Sequence, residues 1–235
     1  MGNIFRFKRF EVDQAGCAMR INTDGVLLGA MADFDQPLKI LDIGTGTGVI
    51  ALMLAQRFAS AAIDAVEIDG SAASAASINS LNAPFSDRMK IYHTAIEDYQ
   101  TLSRYDLIVS NPPFFVNDLK NKEKRKEIAR HTHADFFELL LCKAAALMSS
   151  RGVFWLVLPV KQAEKVIRYA VLRQLFPVKI IHIYSDKTKV AFRQIVCLGF
   201  MPQMPVIHEH FYIYETEGVY TSEYRYLLKD YFLAF

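Results

Sequence analysis

Five short runs in this chain are apolar nearly from end to end: KILDI (39–43), AIDAVEI (62–68), MKIYH (89–93), DLIVS (106–110) and VFWLVL (153–158). A strand with one face in water alternates apolar and polar residues, so runs without alternation predict strands buried on both faces. Between them lie segments of helical period and composition: VIALMLAQRF from Val49, SAASAASINSLN from Ser71 and ADFFELLLCKAAALM from Ala134. Strand and helix in turn imply a parallel sheet covered by helices on both sides. Two further runs, KIIHIY (179–184) and IVCLGF (195–200), are separated by SDKTKVAFRQ, which has no room for a crossover helix, so they are expected to pair antiparallel. The expected fold class is α/β, Rossmann-like: a seven-stranded, mostly parallel sheet with an antiparallel terminal hairpin.

No repeat, low-complexity tract or Pro/Gly-rich linker divides the chain. Its 235 residues, 52% hydrophobic, suffice for one large core. We therefore expect a single domain, with an N-terminal extension over 1–38, a core over 39–201 and a tail over 202–235 whose aromatics pack on the core. The net charge of +2 is too mild to announce a polyanion partner, so a nucleic-acid surface requires local clustering. Two clusters qualify: Arg6, Lys8 and Arg9, and the run Lys120, Lys122, Lys124, Arg125, Lys126 and Arg130, which holds only Glu123 and Glu127 as acids. A solvated charged face explains such runs equally well. Cys17, Cys142 and Cys197 are too far apart for a zinc motif and odd in number, which predicts no metal, no disulfide framework and a reducing cytoplasm. The start MGNIFRFKRF has no long apolar segment, and no stretch nears the roughly twenty apolar residues that span a bilayer, so neither export nor a membrane is expected. A monomer is the expected state.

LDIGTGTGVIAL places Gly44, Gly46 and Gly48 between a strand and a helix. The spacing is G-x-G-x-G, not the dinucleotide G-x-G-x-x-G, and an acid, Asp42, precedes it. A carboxylate there repels a pyrophosphate but attracts a cationic ligand, such as the amino group or sulfonium of S-adenosylmethionine. The next strand ends in AVEIDG, where Glu67 can accept both hydroxyls of a ribose. Asp69 reads as the cap of the following helix. All these residues fall at the carboxyl ends of adjacent strands, where the ligand crevice of an open α/β sheet lies.

DIGTGTG followed by VEID, with a terminal antiparallel hairpin, resembles the class I S-adenosylmethionine-dependent methyltransferases over roughly Lys39 to Phe200. One departure stands out: HTAIEDY has Ala95 where that superfamily usually carries an acid for the cofactor's adenine. The adenine is then left to apolar contact from Ile68 and Ile96, to backbone groups or to Glu97.

The fourth strand runs into Asn111-Pro112-Pro113-Phe114, and neither proline has an N–H to continue a ladder. The side-chain oxygen of Asn111 and the carbonyl of Pro112 can accept the two hydrogens of a planar amine, orienting its nitrogen toward a methyl donor, and Phe114 offers a face for a flat base. NPP is also an ordinary turn sequence. His131 and His133 read as loop contacts rather than acid or base. Such a clamp resembles those of amino-methyltransferases acting on adenine N6, cytosine N4, guanine N2 and protein glutamine.

FRFKRFEVDQAGCAMRINTDGVLLGA (5–30), then NPPF, then Ala129-Arg130 with Thr132, is similar to the tRNA1(Val) adenine N6-methyltransferase family of bacteria. That resemblance implies methylation of the adenine immediately 3′ of the anticodon. It gives the basic residues Arg6, Lys8, Arg9, Lys124, Arg125, Lys126 and Arg130 a role on tRNA phosphates, with RFKR and the loop after Phe114 flanking the pocket. TDGVLLGA reads as a helix start capped by Thr23 or Asp24. In the family reading it lies over the cofactor, making these two residues candidates for an active-site cover. Cys17 reads as a small buried thiol. A release-factor glutamine methyltransferase, a methyltransferase for rRNA or DNA adenine, and a non-catalytic RNA-binding module of the same fold stay open as alternatives.

Overall fold

The computed structural model describes residues 3–17, 20–113 and 133–235. Eight strands form the main sheet. They are β3 (Lys39–Ile43), β4 (Ala62–Glu67), β5 (Met89–His93), β6 (Tyr105–Ser110), β7 (Met148–Pro159), β8 (Phe176–Tyr184), β9 (Arg193–Gly199) and β10 (Ile207–Tyr212), in the order β10-β8-β9-β7-β6-β3-β4-β5. Strands β3 to β7 pair parallel, while β9 runs antiparallel to both β7 and β8. The expected hairpin is therefore present.

The sheet has eight strands rather than the expected seven, because β10 adds to the outer edge in parallel with β8. Its sequence, IHEHFY, is largely exposed and polar. An edge strand packs little apolar surface, so the continuous apolarity that marks buried strands is missing from it.

Helices α1 (Thr23–Met31) and α2 (Val49–Arg57) cover one face of the sheet and α3 (Gly70–Asn82) follows β4. Helices α4 (His133–Leu147) and α5 (Val160–Val171) cover the other face. Two apolar cores result. One joins Leu27, Leu28, Leu52, Leu54, Val109 and Trp155; the other joins Leu41, Ile108, Phe137, Leu141, Phe154 and Leu156. Residues in β6, β7 and β9 alternate between the two cores, which is why their sequences show no polar face. Truncating a fully buried side chain such as Leu156 or Phe154 leaves a cavity in this packing and costs about 2–5 kcal/mol.

Strand β7 begins five residues before the expected start, at Met148. Its early part passes so close to β6 that a Cβ on Gly152 would sit 2.6 Å from the carbonyl oxygen of Tyr105, where the ladder shifts register. Only glycine fits there.

The two chain ends meet on the α1–α2 face. The hairpin β1 (Ile4–Arg6) and β2 (Glu11–Asp13) buries Phe7, Phe10 and Val12, and Phe7 bridges to Phe232. The tail forms a small ribbon, β11 (Tyr214–Thr216) with β12 (Val219–Tyr220), and a final helix, α6 (Ser222–Leu228), capped by Thr221. Tyr224, Leu228 and Tyr231 are buried in the same core, as expected for the tail aromatics.

Candidate active site

Since β3, β4, β5, β6 and β7 are parallel, their carboxyl ends open on one edge, and the residues singled out by sequence gather there. The glycine loop starts as the N–H groups of Gly44 and Thr45 donate to the carbonyl of Val66 at the end of β4 (2.9 and 3.1 Å). Gly44 and Gly46 have φ of +72° and +58°, and a Cβ on either would meet nothing within 4 Å. The backbone there is bare toward open space, a cradle that side chains would fill.

Glu67, 8% exposed, holds this loop: Oε2 accepts from the Gly46 N–H (2.8 Å) and Oε1 from the Asp69 N–H (2.9 Å). A carboxylate has about four acceptor positions, so each oxygen keeps a lone pair for a further donor. Asp69 caps α3 through the Ala72 N–H (2.9 Å), as expected.

Asp42 is fully buried beneath the loop instead of lying open in the cleft. Its Oδ2 accepts from the Thr45 hydroxyl (2.6 Å) and the Ala51 N–H (3.2 Å), while Oδ1 is buried with no partner among the described residues. Burial pushes its pKa up to about 7, opposed by those two hydrogen bonds and reinforced by the charge of Glu67. A buried acid with an orphaned oxygen suits a cationic ligand that would stabilise its charged form.

On the neighbouring strand, the Ser110 hydroxyl donates to the carbonyl of Ile43 (2.8 Å), locking the end of β6 to the end of β3. Asn111 follows, half-buried, with Pro112 buried and Pro113 exposed. Helix α1 passes directly over Asn111: a Cβ on Gly25 would lie 3.5 Å from the Asn111 amide nitrogen. Gly25 thus permits the close approach of α1 to the Asn111 amide.

The cap of α1 is Asn22, whose Oδ1 accepts from the Gly25 N–H (2.9 Å), in place of the expected Thr23 or Asp24. Asn22 has the extended backbone a cap requires, whereas Thr23 is already helical. Thr23 is exposed; Asp24, 8% exposed, is paired with Nε of Arg193 at 2.8 Å. Sequence gave no sign of Arg193, which lies 169 residues away at the start of β9.

The proposed adenine contacts divide. Ile68 is 70% exposed beside Glu67, but Ile96 is 9% exposed and belongs to the core. His93, also not anticipated, rests against Gly70 and places Nε2 3.2 Å from the carbonyl of Ile68, so it shapes this corner. Cys17 is half-buried, not buried, and lies near Asp69 and Glu67; burial first and those charges next raise its pKa and keep it a neutral thiol.

The N-terminal basic residues do not flank this cleft. Arg6 pairs with Glu11 (2.9 Å), Lys8 donates to main-chain oxygens of Lys229 and Phe235 (both 2.6 Å), and Arg9 stands over the Phe85 ring. Lys8 and Arg9 line a cavity with Gln56 and Arg57, at the far end of α2 from the glycine loop. Eight residues of helix separate the two places by about 12 Å. Buried Phe7 and Phe10 dictate that position. Phe114, Lys120, Lys122, Lys124, Arg125, Lys126, Arg130 and His131 lie outside the described residues.

The methyltransferase small domain family matches residues 22–182 of the chain. A protein of Pedobacter heparinus is 60% identical over 235 residues, covering all of both chains. One of Flavobacterium psychrophilum is 39% identical over 234 residues, covering 98% of this chain and 99% of that protein. Both are named tRNA1(Val) (adenine(37)-N6)-methyltransferase. Among solved structures, a protein of Agrobacterium tumefaciens described as a predicted O-methyltransferase is similar with a TM-score of 0.68 at 20% identity, over 88% of this chain and 96% of that one. The glycopeptide N-methyltransferase MtfA, solved with S-adenosyl-L-homocysteine, is similar with a TM-score of 0.52 at 13% identity, over 68% of this chain and 82% of that one. At such identities the structures show a shared fold.

Proposed function

Because this chain belongs to the methyltransferase small domain family, and within it to the tRNA1(Val) (adenine(37)-N6)-methyltransferases, we propose that it methylates N6 of adenine 37, immediately 3′ of the anticodon of tRNA1(Val). S-adenosyl-L-methionine supplies an electrophilic methyl group on a sulfonium. The residues present fit that donor: the bare backbone at Gly44 and Gly46, the spare lone pairs of Glu67 for ribose hydroxyls, the orphaned Asp42 oxygen beneath, and Ile68 beside them for the adenine. The observation that carries the reading is Asn111, set at the end of the strand adjoining the glycine loop with its amide nitrogen against α1.

Asn111 Oδ1 and the Pro112 carbonyl accept the two N6 hydrogens. That pulls the nitrogen lone pair out of conjugation and aims it at the methyl carbon, and both acceptors stabilise the positive charge developing on nitrogen. When bound, the donor would supply its methyl group to that lone pair, and the methylated nitrogen is acidic enough to lose its proton to solvent without a strong base. Most of the rate comes from this alignment. An anticodon loop is single-stranded, so turning an adenine outward costs little. We assign the whole chain to one catalytic domain working as a cytoplasmic monomer. Among the described residues no helix is long and apolar enough to cross a membrane, and no cluster of three ligating side chains could hold a metal.

The test is a pair of tRNA1(Val) transcripts carrying adenine or guanine at position 37. Label from S-adenosylmethionine is expected in the adenine transcript alone; equal label in both would place the target elsewhere.

Two further outcomes are expected. Replacing Lys124, Arg125 and Lys126 by Glu should weaken tRNA binding by about tenfold or more and flatten its salt dependence, since each lost phosphate contact on a single strand lowers the slope by roughly 0.7. Unchanged affinity across salt concentrations would make that run a solvated face. Arg193→Gln should free Asp24 and loosen α1 over Asn111, lowering kcat about tenfold while cofactor affinity holds. An unaltered kcat would leave the ion pair a purely structural role.

A further inference from the structure

Three of the six histidines of the chain gather on β8 and β10, the two strands at one edge of the sheet. Strands β8 and β10 are paired in register, with Ile180 beside His208, His182 beside His210 and Tyr184 beside Tyr212. Alternate residues of a strand share a face, so His182, Tyr184, His208, His210 and Tyr212 all project from the same side of the sheet. Their rings form one zigzag column. Centroid separations are 5.3 Å from His208 to His182, 5.1 Å on to His210, 5.6 Å to Tyr184 and 4.8 Å to Tyr212.

Hydrogen bonds fix how this column presents itself. Gln194 Nε2 lies 3.2 Å from Nδ1 of His182, and Nε2 of His182 lies 3.0 Å from Nδ1 of His208, so one hydrogen-bonded chain runs from Gln194 through His182 to His208 and leaves Nε2 of His208 outside it. Nδ1 of His210 is engaged by the Tyr184 hydroxyl at 2.9 Å, so its Nε2 edge is likewise left for a ligand. Burial first, then repulsion from His208 and His210, keeps the pKa of His182 below its ordinary range and so keeps it neutral at the base of the chain. His208 and His210 are exposed. Their Nε2 edges lie outside the hydrogen bonds within the column and can donate to an acceptor.

Two lysines flank the column, with the carboxylates of Asp186 and Glu223 near them. The exposed Lys187 and Lys189 sit in the loop joining β8 to β9, next to the tyrosine end of the column. The one acid of β10, Glu209, lies on the opposite face and is paired with Lys179 at 2.7 Å. Asp186 is occupied by the N–H and hydroxyl of Thr188. Among the described residues no trio of side chains has the arrangement to hold a metal, so these imidazoles are not a ligand set. Blunting a sheet edge needs polar side chains but no hydrogen-bonded ring column.

Position links the column to the cleft. Strand β8 runs parallel to β6 and β7, so Tyr184 and Tyr212 reach the same carboxyl edge as Asn111. The loop after Tyr184 ends at Arg193, which pairs with Asp24 of α1, the neighbour of the Gly25 that faces Asn111. From β6 to β8 and β10 are three and four strand spacings, about 14–19 Å.

We propose that the His208–His182–His210–Tyr184–Tyr212 column, with Lys187 and Lys189, is a second contact surface for the tRNA, donating to its phosphates away from the target nucleotide. It rests on the reading of tRNA as substrate. An RNA strand leaving the pocket crosses the carboxyl edge past Arg193 to reach it.

The test compares the parent enzyme with His208→Ala/His210→Ala and with His208→Lys/His210→Lys, measuring tRNA Kd at two salt concentrations together with kcat and KM. The alanine pair should weaken tRNA binding about tenfold and raise KM to match, with kcat and S-adenosylmethionine affinity unchanged; the lysine pair should restore or exceed parental affinity. Parental Kd and KM in the alanine pair, with the parent methylating tRNA normally, would overturn this surface and leave the assigned reaction standing. If the parent neither binds nor methylates tRNA, the reaction itself is misassigned and the surface falls with it.

Discussion

Asn111→Ala is expected to lower single-turnover methylation of tRNA by about 10²–10³, because the acceptor that meets charge developing on nitrogen is removed. Affinity for S-adenosylmethionine should stay near the parental value, since the proposed cofactor site lies in the glycine loop, Glu67 and Asp42 on neighbouring strands. The fold should tolerate the change, for Asn111 is only half-buried. Asn111→Asp keeps an acceptor oxygen and should retain more activity than the alanine variant. Calorimetric cofactor titrations beside rapid-quench methylation separate the two effects. Parental turnover in Asn111→Ala would dismiss the clamp, and lost cofactor binding would move Asn111 into the cofactor site.

Asp42 gives the second large effect, and its sign follows from linkage. Its pKa in the fold, about 7, lies above the ordinary carboxylate value of roughly 3.9. Between those pH values the folded protein holds a proton that the unfolded chain has released. Stability of the cofactor-free protein from this group is therefore full below about pH 4, falls as pH rises, and levels off above about 7. A cationic cofactor favours the carboxylate, so its affinity should rise with pH up to about 7 and binding near pH 6 should release protons. Asp42→Asn retains one acceptor for Thr45 and Ala51 but no charge. It should abolish the pH dependence and weaken the cofactor about tenfold or more at pH 8. Titrations in buffers of different ionisation enthalpy check this. A flat affinity between pH 5.5 and 8 in the parent would contradict it.

The sheet and its site were legible to different depths. Continuous apolarity announced β3, β4, β6 and β7 because those strands are covered on both faces, whereas MKIYH, read in the same way, is the edge strand β5 and is only partly buried. Asp42, Gly44, Gly46, Glu67 and Asn111 accordingly converge as expected. What escaped depends on contacts between distant residues. Strand β10 has no buried face of its own to read, and the Asp24–Arg193 pair joins the two ends of the chain. Asn22, Thr23 and Asp24 are all good cap residues in a row, so only backbone geometry selects Asn22. The RFKR turn is positive in sequence, yet Phe7 and Phe10 decide where it docks, against Phe232 and Phe85 and away from the cleft. Burial of Asp42 likewise comes from the helices that close over the loop, which the motif alone does not reveal.

The assigned reaction transfers a methyl group to one adenine of one tRNA. Labelled S-adenosylmethionine with unmodified total tRNA, followed by nucleoside mass spectrometry, tests it most directly. N6-methyladenosine at position 37 of tRNA1(Val), absent with Asn111→Ala, is the predicted result. No label in tRNA, with label instead in release factor, ribosomal RNA or DNA, would contradict it.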